Sequence, residues 1–130
     1  MACAWAVMSH LGIDGYVDLT RTTLANADAF RSGVAAIEGI RVLGDGRFHL
    51  VAMAADPSFE PEIDMFALGD ALVAKGWFHD RQGPPDNLHS TISNTNTGVI
   101  ETYLGDLAHC VAEVVGTRTD DRSTNYATLE

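Results

Sequence analysis

Five histidines, two cysteines and a single lysine are the side chains of this 130-residue chain best suited to ligation or covalent chemistry. The nearest cluster is His79, Asp80 and His89. Its spacing matches no established zinc pattern, and Cys3 and Cys110 both lie far from it, so no metal site is expected. His79 and His89 fall on adjacent predicted strands around a proline loop, where either could line a cleft or sit on the surface at a strand end. Ser90 follows His89, yet no acid stands nearby to orient the pair. There is also no glycine-flanked serine elbow and no glycine-rich phosphate loop leading into a helix. Lys75 alone could form a Schiff base. It stands in the last turn of a predicted helix before Gly76, the place of a solvated lysine that offsets the helix dipole. The chain therefore offers no self-contained catalytic site.

The elements that must position these residues follow from periodicity. Apolar residues fill every side of a helix-forming run from Ala2 to Met8, and a helix without a polar face must be covered by protein or lipid. Another domain or a second copy of the chain is the expected cover. In isolation Trp5 and its neighbours are expected to be disordered or buried against that second copy. Asp14 is placed to cap a second helix over 15–37, with Tyr16, Leu19, Thr23, Ala27, Phe30, Val34 and Ile37 recurring at three and four. Gly39 ends it. Residues 40–43 and 48–54 read as two strands joined by a turn at Gly44-Asp45-Gly46. Asp64 can cap a helix carrying Met65, Leu68 and Leu72, stopped at Gly76.

Trp77 to Asp80 reads as a short strand, Gly83-Pro84-Pro85 as its break, and Leu88 to Ser93 as a second strand. Residues 94–97 form a polar cap, and Ile100, Tyr103, Leu104, Leu107, Val111 and Val114 mark the last helix. Beyond Gly116 the apolar content falls, so a mobile or partner-ordered tail is expected over 117–130. The element order predicts an α+β fold, a small, mostly antiparallel sheet covered by helices on one face.

Composition narrows the function. Eighteen acidic against eight basic residues, a net charge of −10, disfavour binding to a phosphate backbone, so nucleic acid is not an expected partner. No basic residue precedes Arg21, which argues against a secretory signal. No apolar run approaches the roughly 18 to 20 residues that span a bilayer. Two reduced, buried cysteines in a cytoplasmic protein are expected rather than a disulfide.

Several stretches taken together resemble one family. Ala2-Cys3-Ala4-Trp5-Ala6, His10 through Tyr16, Ala74-Lys75-Gly76-Trp77, then Pro84-Pro85 and His89 are similar to the C-terminal part of group II pyridoxal-phosphate-dependent decarboxylases, most closely the sphingosine-1-phosphate lyase branch. The likeness runs through Val115. It implies the small C-terminal domain of a fold-type I lyase, with residues 1–14 as a linker helix from a missing cofactor-binding domain and 15–116 as the domain proper. The lysine that carries the cofactor and most ligands of pyridoxal phosphate belong, by that resemblance, to the missing domain. No cofactor is then expected on this chain, which would be inactive alone, and no residue of it is catalytic. It would give a wall of the substrate cleft and contacts of a homodimer. The resemblance assigns two substrate contacts, His89, with one residue more between it and Pro85 than the family has, and Tyr126 in the tail. A sphingoid phosphate, an aromatic amino acid and glutamate all stay open as substrates. The alternative is a stand-alone small-molecule-binding or regulatory module.

Overall fold

In the computed structural model, residues 2–46 and 48–127 are described, the side chains of Tyr126 and Ala127 excepted. The elements run α1 (Ala2–Ala35), β1 (Ile40–Leu43), β2 (Leu50–Ala55), α2 (Met65–Ala74), β3 (Asp80–Gly83), β4 (Asn87–Thr91), a 3-10 turn (Asn94–Asn96), α3 (Ile100–Val114) and β5 (Tyr126–Ala127). The strands form one sheet in the order β1-β2-β4-β3-β5. The first four pair antiparallel, and β5 joins β3 in parallel. This is the expected α+β architecture, with the three helices on one face.

Alternation along the strands explains the layering. Met53 stands opposite Leu88 and Val51 opposite Ser90, and all four are buried. Successive side chains point to opposite faces, so His89 and its partner Ala52 take the other face of the sheet. The buried residues pack against Ala27, Phe30 and Val34 of α1, Phe66, Leu68 and Leu72 of α2, and Tyr103, Leu107 and Val111 of α3. Each fully buried aliphatic or aromatic side chain contributes roughly 1.5–3 kcal/mol through the area it removes from water. Asp64 caps α2 as expected, its carboxylate accepting from Phe66 N at 2.9 Å and Ala67 N at 3.3 Å. Gly76 takes the left-handed conformation just past the helix, at φ 91°.

Several expectations need correction. The two expected N-terminal helices are both present within α1 and meet at a non-helical kink at Gly12 (φ 59°, ψ −174°), so the break falls two residues before the expected cap at Asp14. A β-carbon is disfavoured at that φ, so the break falls on the glycine. The opening segment is helical rather than disordered, and Cys3 is exposed, not buried. The strand expected over Trp77–Asp80 is displaced to Asp80–Gly83. Trp77 leaves the sheet because its indole donates to Asp106 of α3 at 2.8 Å, and Phe78 is exposed. Finally, β2 begins at Leu50 rather than Phe48, whose side chain is exposed.

Candidate functional site

Where β4 leaves the sheet beneath α1 and α3, a cavity of about 300 Å³ opens. Its apolar wall is Phe30, Ile92, Ile100 and Tyr103, and its polar edge is His79, His89, Ser90 and Asn96. Tyr103 is the centre of the wall. Phe30 stacks on it at 5.1 Å, Trp77 meets it edge-on at 5.3 Å, and the His79 ring lies 5.4 Å away. Such aromatic clusters fix ring positions beyond what burial alone provides. Burial also pushes the Tyr103 phenol up, so it stays protonated.

The two histidines of the expected cluster both line this cavity but reach it from different faces. His79 Nδ1 shares a hydrogen bond of 2.9 Å with Ser90 Oγ on the helix side. His89, opposite Asp80 and next to Ser90, belongs to the far side. The local pairing of Ser90 with His89 thus gives way to Ser90 with His79, eleven residues earlier. Burial lowers the His79 pKa to about 4, against a smaller opposing effect of Asp80, so the imidazole is neutral at pH 7. A serine and a neutral imidazole at 2.9 Å have the spacing of a nucleophile and its base, but a third group must orient the base. His79 Nε2 is shielded and has no hydrogen-bond partner among the described residues. The two side chains meet at the polar edge of the apolar cavity. His89 Nδ1 is likewise shielded and unpartnered.

Among the described residues no three His, Cys, Asp or Glu side chains converge. Lys75 Nζ lies 3.6 Å from Asp106 Oδ1, bridging the end of α2 to α3, and it lines no part of the cavity. Cys110 is buried in the core, where desolvation raises its thiol pKa.

Tyr126 enters through its backbone. β5 sets Tyr126 beside Gln82 and Ala127 beside Gly83, while His89 stands opposite Asp80 on the other side of β3. The two residues assigned to substrate thus flank one strand, roughly 12 Å apart at the backbone by ordinary strand spacing, and are not brought into contact. The Tyr126 side chain lies outside the described residues.

What sequence reading missed is a second polar centre on the opposite end of β3, around Phe66. The Arg81 guanidinium lies 5.3 Å from the Phe66 ring centroid and that of Arg122 4.5 Å from it. Arg122 bonds both oxygens of Asp64, at 2.9 and 2.8 Å, and also pairs with Asp86. Burial raises the Asp64 pKa, but Arg122 and the helix-capping amides outweigh it and hold the carboxyl below its usual range. Arginine 58 residues from its partner carries no local signal.

No family model matches the chain. Sphingosine-1-phosphate lyases do match it: that of Drosophila melanogaster is 28% identical over 117 residues and that of Oryza sativa 30% over 114. In both comparisons 88% of this chain is covered, and the chain spans about a fifth of the length of these relatives. Among solved structures, a Burkholderia pseudomallei sphingosine-1-phosphate lyase superposes with TM-score 0.75 at 28% identity, over 85% of this chain and 24% of that one. A Lactobacillus brevis glutamate decarboxylase gives TM-score 0.78 at 15% identity, over 88% and 28%, which shows a shared fold. The chain is thus similar in sequence and fold to one part of these enzymes. Among the described residues no helix is long and apolar enough to cross a membrane.

Proposed function

We propose that this chain, a relative of one part of the sphingosine-1-phosphate lyases, is the small C-terminal domain of a pyridoxal-phosphate-dependent carbon–carbon lyase. In the intact cytoplasmic enzyme it walls the substrate cleft, moves with domain closure and adds contacts to a homodimer. The likeness along 88% of the chain carries this reading. The first half of α1 supports it, because an apolar helix surface without cover is what a linker between two domains would present.

The cofactor supplies an electron sink for bond cleavage when bound. It does not fit the residues described here, since the only lysine is engaged by Asp106 at the end of α2. The cofactor belongs to a domain outside these residues, and no step through it falls to this chain. His89 and Tyr126, one on each side of β3, are the residues that meet substrate.

The test is spectroscopic. Pyridoxal phosphate added to the 130-residue chain gives no Schiff-base absorbance. The protein expressed with the coding sequence upstream of Met1 gives that band and cleaves a carbon–carbon bond. A band in the 130-residue chain would overturn the assignment of Lys75. A reading frame that opens at Met1, joined to saturable binding of a small molecule in the cavity at Phe30 and His79, would establish the stand-alone module instead.

A further inference from the structure

Residues 117–127 leave α3 and cross back over the N-terminal end of α2 to reach β3. Ion pairs hold their middle, and backbone and amide hydrogen bonds hold their end. Arg122 Nη1 donates to both carboxylate oxygens of Asp64, the capping residue of α2, and Nη2 pairs with Asp86 in the β3–β4 turn. Arg81 of β3 reaches Asp121 Oδ2 at 3.3 Å as well as Asp70 of α2, and its second terminal nitrogen donates to Phe66 O at 3.2 Å. Both guanidiniums lie over the buried Phe66 ring. Asn125 closes the segment with a reciprocal pair. Its N–H donates to Arg81 O at 2.9 Å, and its side-chain oxygen accepts from Arg81 N at 2.9 Å.

We infer that Arg81 and Arg122 form a clamp on Phe66 that seats residues 119–127 as a detachable strap, and thereby sets the backbone position of Tyr126 beside β3. Two features make the strap separable from the body. The Asp64 and Arg81 side chains, on the body side, are only 8% and 12% exposed and are fixed by other contacts, whereas Arg122 and Asp121, on the strap, are 46% and 60% exposed. Moreover, no described side chain between Arg118 and Asn125 belongs to the apolar core. Charge-assisted bonds are the strong kind of hydrogen bond, but exposed pairs are weakened by salt, because the screening length falls from about 10 Å at 0.1 M to about 3 Å at 1 M. The strap should therefore open while the core stays closed. This holds whether or not Tyr126 meets a substrate, and so is independent of the proposed activity.

Hydrogen exchange of the backbone amides, followed by NMR on the 130-residue chain, tests it. At low salt the Asn125 amide is expected to be protected. In Arg122→Gln, and separately in wild type at 1 M NaCl, its exchange is expected to rise on the order of tenfold. Amides of Leu107 and Cys110 in α3 should not change in either case. Arg122→Lys, which keeps the charge but not the two-pronged geometry, should recover only part of the protection. Should Arg122→Gln fail to fold, the salt series on wild type decides alone. An Asn125 amide that is unprotected at low salt, indifferent to both perturbations, or lost only together with α3 would overturn the clamp.

Discussion

The N-terminal and C-terminal parts of α1 are both helical, yet they live in different environments. From Ala27 to Val34 the inward positions are buried against the sheet and α3. From Ala2 to Leu24 the apolar side chains face outward, with Ile13 82% and Trp5 69% exposed. Helical backbone formed in both, so local propensity sufficed for structure, whereas burial required a partner surface. Only the second half has one within this chain. Apolar surface of this kind fits the proposed role of this part of α1 as a linker to a further domain.

Substitutions can break that contrast. The largest effect is expected in the body, where Leu107→Ala removes a fully buried side chain and should cost about 2–5 kcal/mol in denaturant unfolding. Next, Asp64→Ala removes a helix cap and the Arg122 contact together, for roughly 1–2 kcal/mol. Glycines sharpen the comparison by sign. A β-carbon at Gly33 would lie 2.2 Å from Leu104 Cδ1, so Gly33→Ala should destabilise by about 1–3 kcal/mol as α1 and α3 are pushed apart. At Gly105, exposed within α3 with nothing nearby, alanine should stabilise by about 0.5–1 kcal/mol. Trp5→Ser and Ile13→Ser, in the uncovered half, should shift unfolding of the 130-residue chain by less than about 0.5 kcal/mol.

Acid provides a test specific to the cavity. His79 has a folded pKa of about 4, below its ordinary 6.5, so the unfolded chain binds the extra proton first. The stability tied to its neutral form is complete above pH 6.5 and declines as pH falls from there toward 4. In His79→Gln the unfolding midpoint should lose that part of its acid dependence. An unchanged pH profile would place the imidazole in solvent.

Much of the fold was legible because it rests on local patterns. The β1–β2 hairpin, the Asp64 cap, the Gly76 stop and the inward face of α3 all follow from spacing a few residues wide. The misplaced strand at Trp77 shows the limit. An aromatic pair looks strand-forming, but the Asp106 carboxylate captured the indole, and the strand formed from Asp80-Arg81-Gln82-Gly83, poor strand formers that β4 recruits. The cavity shows the same limit. Sequence proximity pairs Ser90 with His89, while the pleat turns them to opposite faces and gives Ser90 to His79. The Phe66 clamp joins residues 81, 122 and 64, a grouping that only tertiary structure creates.

Trp5 reports most directly on whether the uncovered half of α1 is an internal seam of a larger enzyme. Its fluorescence can be isolated as the difference between wild type and Trp5→Phe, and its accessibility read by acrylamide quenching in dilute 130-residue chain and in the protein expressed with its upstream coding sequence. If the chain is the small domain of a lyase, Trp5 is readily quenched in the short chain and shielded, with blue-shifted emission, in the longer protein. Equal quenching in both would contradict it.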